Sequence, residues 1–327
     1  MEGVADYLTR QLITGTSGYD LCVTEFIRVT DTLYPESVFY RLCPELRHGS
    51  QTLGGTPVHV QFLGNHATLM AENACKVVEL GAKGVDINFG CPAKTVNRHK
   101  GGAALLKEPE IIYELVHTIR KQVPSHIPVT AKMRLGFDDA DQALEIALGI
   151  EAAGADGLTI HARTRKEGYR PPAHWDKLAE IRQQLSIPLT ANGEIWTVDD
   201  YHRCRAISTC DDVMIGRAAV ARPWLACAIK ASQNKAFQDK DGKESCSSID
   251  TWQNTIGILE KFVDTVTSIP EEEIHLYGIS NQKRYLGDRI KQWLRMMTKG
   301  HQEASVLFDA VKRQNCIQTI LTELKAA

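Results

Sequence analysis

The sequence lacks the features that mark membrane proteins, disulfide-rich secreted proteins and zinc-binding domains. No uninterrupted apolar stretch approaches the ~20 residues of a membrane-spanning helix, and the first residues, MEGVADYLTR, contain no apolar signal-peptide core. The nine cysteines include no C-x-x-C pair and no cysteine/histidine group with zinc-finger spacing. We therefore expect reduced thiols in a cytoplasmic protein, with no bound metal ion and no membrane association.

An excess of charge of either sign is also missing. The chain has 38 Lys and Arg residues against 40 Asp and Glu residues, a formal net charge of −2 over 327 residues. This balance gives no global attraction to nucleic acid, so DNA is not expected as a partner and any RNA would have to meet a local basic patch. The 43% hydrophobic and 24% charged residues are typical of a globular protein with one large and one small domain.

Short β-rich runs recur along the first two-thirds of the chain, each followed by a helical pattern. The seven runs are DLCVTE (20–25), PVHVQFLG (57–64), GVDINFG (84–90), PVTAKMRLG (128–136), GLTIHAR (157–163), PLTANGE (188–194) and DDVMIGR (211–217). Strands that alternate with helices indicate a parallel sheet in an α/β fold. Glycines such as Gly81 and Gly154 follow predicted helices, where Gly favours the helix C-terminus.

The number of predicted strands leaves two architectures open. Residues 4–13, ahead of the first run, are predicted as a helix, and a closed (β/α)₈ TIM barrel of ~250 residues needs one more strand before them. The sheet is therefore either open and doubly wound, or a TIM barrel whose first strand is missing from this chain. We favour the barrel and assign it to residues 1–235.

Residues 236–327 are predicted to form a small all-α domain. A polar, turn-rich stretch at 233–250 leads into it, and only helical patterns follow. Between Lys283 and Lys299 there are six basic residues and one acid, Asp288. On a helix, one face is apolar (Leu286, Ile290, Trp293, Leu294, Met297) and another is basic (Arg284, Lys291, Arg295, Lys299). This basic stripe suits phosphate binding, although a solvated surface has the same appearance.

One cysteine has an unusual setting. In the segment INFGCPAKTVN (87–97), Cys91 lies between Gly90 and Pro92. Glycine allows the widest range of backbone dihedral angles, and proline restricts them most. Cys91 is either a small buried residue in a turn or a positioned acid or nucleophile.

Polar side chains collect where the predicted strands end, which is where TIM barrels carry out chemistry. They are Glu25, Gln61, Asn88, Cys91, Lys132, Arg134, His161, Arg163, Asn192, Glu194 and Arg217. Asn192-Gly193-Glu194 and Gly216-Arg217 follow the last two strands, where loops often hold a phosphate. Lys132 forms either a structural ion pair or part of a site, and His161 is either a core residue bonded to a carbonyl or a site residue.

The motif Asp86-Ile87-Asn88-Phe89-Gly90-Cys91-Pro92, with Lys94 and residues 101–105, resembles the signature of the tRNA-dihydrouridine synthases. Further segments resemble the same family: Gln61-Phe62-Leu63-Gly64, Lys132-Met133-Arg134, His161-Ala162-Arg163-Thr164, Asn192-Gly193-Glu194 and Ile215-Gly216-Arg217. Glu25-Phe26-Ile27-Arg28 and residues 289–294 are most similar to the bacterial subfamily that modifies uridine 16 in the D-loop.

The resemblance implies an FMN-binding barrel followed by a helical tRNA-binding domain, in a protein expected to be a monomer. In this family NADPH (or NADH) reduces the flavin, the flavin passes a hydride to C6 of uracil, and a cysteine protonates C5; Cys91 matches that acid. The same comparison assigns FMN binding to Gln61, Lys132, His161, Asn192, Gly193, Glu194, Gly216 and Arg217. It assigns tRNA contacts to Arg28, Asn88, Arg134, Tyr169, Arg289, Lys291 and Lys312. Arg28 alternatively pairs with Asp31 or Glu25.

The chain departs from the family pattern at its start. Family members usually carry an apolar strand that ends in a Pro-Met pair, and this chain begins where that motif ends. We expect a misplaced start or a truncation. Two other functions stay open: a flavin barrel that acts on free pyrimidines, and a non-catalytic tRNA-binding protein without flavin.

Overall fold

A computed structural model describes residues 2–233 and 249–326 of the chain. The expected domain boundary at residues 235 and 236, and most of the polar stretch at 233–250, lie outside the described residues.

A parallel sheet forms the larger part of the molecule. Its strands are β1 (Cys22–Val23), β2 (Ile27–Arg28), β3 (Val58–Leu63), β4 (Val85–Phe89), β5 (Val129–Gly136), β6 (Gly157–Thr164), β7 (Leu189–Asn192) and β8 (Asp212–Met214). The order is β1-β3-β4-β5-β6-β7-β8, and β2 continues from β1 along β3. Each of the seven predicted strands is present, and β2 was not predicted. The fold is a TIM-type α/β barrel. Among the described residues, β1 and β8 form the two edges of the sheet, and no strand lies between them to close it.

Helices follow the strands and continue to the C-terminus. They are α1 (Tyr7–Thr14), α2 (Glu36–Leu42), α3 (Ala67–Glu79), α4 (Lys94–Arg98), α5 (Pro109–Gln122), α6 (Ala143–Ala152), α7 (Trp175–Arg182), α8 (Val198–Ser208), α9 (Arg217–Ala221), α10 (Leu225–Gln233), α11 (Trp252–Ser268), α12 (Gln282–Met297), α13 (Gln302–Val311) and α14 (Ile317–Lys325). Short 3₁₀ helices span Pro44–His48, Gly102–Lys107 and Ile274–Tyr277. As predicted, Gly81 and Gly154 lie just after α3 and α6 with left-handed φ angles of 100° and 95°.

The barrel core is built from both faces of the central strands. All six residues of β3 and all eight of β6 are buried, which is typical of parallel strands covered by helices on one side and packed barrel residues on the other. This dense packing fixes the strand ends, and the side chains at those ends form the site described below.

A second hydrophobic core joins the C-terminal helices to the N-terminal one. Apolar residues of α11 and α12, with Trp293 fully buried, pack together with Leu8, Leu12 and Ile13 of α1. The apolar face predicted for α12 is buried as expected. The sequence had placed residues 4–13 in the barrel domain, whereas the apolar side of α1 packs on the helical region.

The polar side of α1 is anchored to the barrel region. The guanidinium of Arg10 donates from Nε and Nη2 to the two carboxylate oxygens of Glu45, both at 2.8 Å, and also binds the carbonyl of Leu42. Both side chains of the pair are almost completely buried. Helix α1 therefore packs on the helical core and is linked by Arg10 to the segment between β2 and β3. None of the described helices combines the length and the hydropathy needed to cross a bilayer.

Candidate active site

The carboxyl ends of β3 to β8 bring most of the predicted site residues together. Asn88 on β4 is in register with Lys132 on β5, and Arg134, two residues further on, is in register with His161 on β6. His161 is in turn in register with Asn192 on β7. Side chains two residues apart on a strand point to the same face, so these residues line one side of the barrel mouth.

Cys91 lies in the loop after β4, where backbone hydrogen bonds hold it. The Oδ1 atom of Asn88 accepts the N–H groups of Gly90 at 2.9 Å and Cys91 at 3.0 Å. The Cys91 carbonyl accepts from the side chain of Asn97 at 2.9 Å and from the backbone of Ala103 at 3.1 Å. These contacts are those of a positioned residue in a half-buried loop, and they favour the acid interpretation over the buried-turn interpretation.

The protonation state of Cys91 also suits an acid. Burial raises the pKa of the thiol above its ordinary value, and the N–H of Ala93, which bonds the sulfur, opposes the shift. The thiol is therefore protonated at neutral pH and has a proton to give.

Lys132 forms no ion pair within residues 2–233 and 249–326, which leaves the structural ion-pair alternative unsupported there. Its ammonium donates to Oδ1 of Asn192 at 2.9 Å. Solvent reaches Lys132 through the open mouth, yet surrounding protein atoms bury it enough to lower its pKa to about 8, with a further contribution from Arg134. At neutral pH Lys132 remains mainly cationic, with donors beyond the single hydrogen bond to Asn192.

His161 is buried and neutral. Burial is the largest cause that lowers its pKa, to about 2, and the cations Lys132, Arg134, Arg163 and Arg217 lower it further. Its Nε2 atom lies 3.4 Å from Nη1 of Arg163, an N–H donor, so Nε2 accepts. The predicted alternative was a hydrogen bond from His161 to a backbone carbonyl, and in the described part of the structure Nε2 does not make that bond.

Glu194, predicted to bind the cofactor, uses its carboxylate within the protein. It forms an ion pair with the buried Arg163 and accepts from Nε1 of Trp196 at 2.8 Å. Burial opposes ionisation, but the hydrogen bonds from Trp196 and Arg163 hold the pKa of Glu194 below its ordinary value. Glu194 therefore shapes the loop after β7.

The same loop brings its backbone close to the mouth. Gly193 has φ of +117°, and a Cβ atom there would lie 2.8 Å from the ring of His161. The Gly193 carbonyl accepts from Nε1 of Trp175 at 3.0 Å. Only glycine fits this close approach, so the loop presents bare backbone to the site.

Arg134 connects the loop that carries Cys91 with the loop after β6. Its guanidinium donates to the carbonyls of Gly90 at 2.9 Å, Thr164 at 3.1 Å and Gly168 at 2.8 Å. It is 2% exposed. The structure therefore gives Arg134 a structural role in addition to the predicted substrate contact.

Tyr169 is the exposed aromatic residue at this mouth. It follows Gly168, is 52% exposed, and its ring lies 4.6 Å from the guanidinium of Arg217 and 5.2 Å from that of Arg134. Its ring centroid lies 5.9 Å from that of His161. Tyr169 therefore covers the cationic side of the site. Gly216 precedes α9 and places Arg217 beside this ring.

The predicted tRNA contacts occupy different settings. Arg28 lines a cleft of about 240 Å³ together with Asn65 and His99. Among the described residues neither Asp31 nor Glu25 pairs with Arg28, since Asp31 accepts from Thr30 and Glu25 from the N–H of Val4.

The three predicted contacts in the helical region also differ. Arg289 is largely enclosed and binds Asp6 at 2.6 Å and the carbonyl of Gly3. Lys291 is half-buried on α12, and Lys312 pairs with Asp309 at 2.6 Å. Lys291 and Lys312 leave part of their length in solvent, whereas Arg289 ties α12 to the N-terminal segment.

Two polar residues of this region, Asp86 and Thr130, had no predicted role. Asp86 is buried and accepts from Oγ1 of Thr130 at 2.6 Å and from Nε2 of Gln61 at 2.7 Å. The Oε1 atom of Gln61 accepts from Nδ2 of Asn88 at 2.8 Å. The i, i+2 spacing of Asp86 and Asn88 was the available sequence signal; their common partner on β3 was not visible.

The donors at the mouth fit a planar, partly anionic group such as a flavin. Lys132 uses one N–H group on Asn192 and has others available for a ligand. At Gly193 the backbone itself faces the site, because a side chain there would clash with His161. Arg217 supplies a second cation. Both cations suit a ring or a phosphate that carries negative charge.

The fold and this site define an α/β-barrel enzyme with a protonated thiol beside a cationic mouth. The family model described as dihydrouridine synthase matches residues 1–322. The chain belongs to the dihydrouridine synthase family.

Curated relatives agree over nearly the whole chain. The chain is 45% identical over 315 residues to the tRNA-dihydrouridine(16) synthase of Pseudomonas putida, covering 96% of this chain and 91% of that protein. It is 45% identical over 329 residues to the same-named protein of Neisseria meningitidis serogroup B, covering 99% and 93%.

Solved structures share the fold at low sequence identity. A 2-naphthoyl-CoA reductase complex has a TM-score of 0.54 at 12% identity, covering 70% of this chain and 48% of that chain. A histamine dehydrogenase from Rhizobium sp. 4-9 has a TM-score of 0.54 at 14% identity, covering 76% and 47%. These similarities support the barrel fold alone.

Proposed function

We propose that this protein is a flavin-dependent tRNA-dihydrouridine synthase that reduces the C5=C6 bond of uridine 16 in the D-loop, with FMN as cofactor and NADPH or NADH as reductant. Family membership and the names of the curated relatives support the reaction. The observation that carries the proposal is the protonated thiol of Cys91, held by Asn88 beside the cationic mouth.

Two of the protein's own groups take part directly in this reaction. A bound flavin would supply the hydride chemistry, from the nicotinamide to C6 of the uracil. The Cys91 thiol gives its proton to C5, where negative charge develops. Lys132, cationic at neutral pH, stabilises negative charge on the neighbouring ring.

Other residues hold and enclose the reactants. Gln61, Asn192, Gly193, Glu194, Gly216 and Arg217, with His161 beside them, hold the cofactor. Neutral His161 adds no positive charge at its position, and Glu194 fixes the loop through Arg163 and Trp196. In this proposal the half-exposed ring of Tyr169 stacks on an extruded base, and Asn88 and Arg134 are further substrate contacts.

In this proposal the helical region binds the tRNA. A uridine inside folded tRNA must be turned out of its stack, which costs a few kcal/mol, and phosphate contacts offset this cost. Three basic residues of α12 are exposed, Lys283, Arg284 and Arg295, and the exposed Lys299 follows the helix. We assign residues 1–235 to catalysis and residues 236–327 to tRNA binding, with Arg28, Lys291 and Lys312 as direct contacts and Arg289 as an orienting residue. We further propose a cytoplasmic monomer.

Replacement of Cys91 tests the proposal. We expect Cys91→Ala to lower dihydrouridine formation in tRNA by at least about 100-fold, because the general acid is lost. NADPH oxidation by the bound flavin should continue at the wild-type rate. Mass spectrometry of digested tRNA measures the product, and absorbance at the flavin band measures reduction.

Cys75→Ala is the matched control, because Cys75 is a half-buried thiol on α3, remote from the β4 loop. Wild-type product formation by Cys91→Ala would reject the assigned acid. Activity on free uridine without tRNA would favour a free-pyrimidine enzyme. A colourless protein that takes up no FMN yet binds tRNA would favour the non-catalytic alternative.

A further inference from the structure

A chain of buried and half-buried polar groups leads from the wall of the barrel to Cys91. It starts at Thr130 on β5, passes through Asp86 and Asn88 on β4 and Gln61 on β3, and ends at the backbone of the Cys91 loop. Each of the four links measures between 2.6 and 3.0 Å. Within this chain, Thr130 and Asp86 have no role in the chemistry proposed above.

The direction of the hydrogen bonds is set at Asp86. An ionised carboxylate only accepts hydrogen bonds, and burial raises the Asp86 pKa only to about 6, so at neutral pH it is mainly ionised. Gln61 must therefore turn its NH₂ group towards Asp86, at 2.7 Å, and its carbonyl oxygen away.

The orientation of Gln61 then dictates that of Asn88. Because Gln61 presents Oε1, Asn88 must present its NH₂ group to it, at 2.8 Å. The Oδ1 atom of Asn88 is thereby directed at the N–H groups of Gly90 and Cys91. With either amide reversed, two acceptors or two donors would face each other inside the protein, which is unfavourable because groups shielded from water would be left without partners.

We propose that Asp86 is a positioning residue that fixes the amide orientations of Gln61 and Asn88 and thereby holds the Cys91 loop in the geometry the acid requires. This inference rests on the proposed function, because it gives a role to a residue that acts on the Cys91 thiol only through others. It concerns the direction of the hydrogen bonds and not the negative charge of Asp86.

Site-resolved alkylation tests the proposal without tRNA or turnover. The full chain, as purified, is treated with iodoacetamide between about pH 6 and pH 10, and the Cys91 peptide is quantified by mass spectrometry. The thiolate alone reacts, so the midpoint reports how the loop presents stabilising groups to the sulfur. The Ala93 N–H lies in this loop, Arg134 on β5 also favours the thiolate, and Glu2 of the N-terminal segment opposes it.

Asp86→Leu and Gln61→Met break the relay at two points. We expect both to shift the midpoint of Cys91 alkylation by about one pH unit, because the anchored loop sets both the burial of the sulfur, which raises its pKa, and its contact with the Ala93 N–H, which lowers it. Gln61→Met keeps the Asp86 carboxylate and so remains informative if Asp86→Leu fails to fold.

Asp86→Asn separates direction from charge. The new amide can offer its oxygen to Gln61 and its NH₂ group to Thr130, whose hydroxyl also accepts, so the direction is preserved. We expect a midpoint close to that of the wild type. A shift in Asp86→Asn as large as in Asp86→Leu would overturn the proposal, as would wild-type midpoints in both relay-breaking variants.

Asp156→Asn is the matched control at the opposite end of the barrel, where that carboxylate accepts from Arg120 and from the N–H of Val129. Its Cys91 midpoint should equal that of the wild type, and a shift there would mean that any lost barrel carboxylate moves Cys91. Failure of the proposed function appears separately, as unchanged dihydrouridine formation by Cys91→Ala.

Discussion

The sequence identified several side chains at the barrel mouth, but it did not show which groups each of them contacts. The motif around Cys91 was sufficient to draw attention to the thiol, because Cys91 lies between the most permissive residue type, Gly90, and the most restricted one, Pro92. The role of Asp86 was not accessible in the same way, since its partners Gln61 and Thr130 lie on other strands. Hydrogen-bond direction depends on which strands are adjacent, and one sequence does not state this.

Lys132 carries a pH prediction at this scale. The folded protein releases the Lys132 proton near pH 8, whereas the unfolded chain holds it to about pH 10.4. Across this window the unfolded state binds more protons, so Lys132 makes the free energy of unfolding rise with pH. Urea unfolding of the wild type and of Lys132→Met at several pH values measures this as their difference. Parallel curves for the two proteins would contradict the lowered pKa.

At the scale of elements, the seven strands could be predicted because each combines β-branched residues with a following helical pattern. Strand β2 could not, because two residues carry no periodicity and are ordered only by pairing with Phe62 and Leu63 on β3. The loops after β7 and β8 were predicted as a phosphate site from their glycines and their positions after the last two strands. The left-handed backbone of Gly193 against His161 became visible only in three dimensions.

The loop after β7 gives a prediction of its own. We expect Gly193→Ala to lower the free energy of unfolding by about 1–3 kcal/mol and to reduce flavin uptake, because the methyl group strains the backbone and strikes His161. The control is Gly149→Ala on α6, where a methyl group meets no atom within 4 Å and should stabilise the helix by about 0.5–1 kcal/mol. Flavin titration and chemical denaturation measure both. Wild-type flavin uptake by Gly193→Ala would contradict the close approach.

For the whole molecule, the sequence indicated a barrel and a helical region but not how α1 joins them. A helix of eight residues shows an apolar face, and the pattern does not tell which core that face meets. Arg289 illustrates the same difficulty. Its position in a basic segment predicted an RNA contact, while its partner Asp6 lies at the other end of the chain.

A pair of variants on α12 separates these roles. Arg289→Met leaves Asp6 without its cation in a largely enclosed site, so we expect a lower midpoint of thermal unfolding than in Lys291→Met. Lys291 has no ion pair in the described part of the chain, and Lys291→Met should instead weaken tRNA binding and reduce the salt slope by about one. Calorimetry and filter binding at several salt concentrations measure the two effects. Equal midpoints of thermal unfolding in the two variants would contradict a stabilising role of the Arg289–Asp6 ion pair.

The three carbonyls that accept from Arg134 belong to the loop after β4, to the last residue of β6 and to the loop after β6. One guanidinium therefore couples the segment that carries Cys91 to the segment that carries Tyr169. Displacement of either segment alone would break hydrogen bonds of a buried cation, so these bonds oppose independent motion of the two segments.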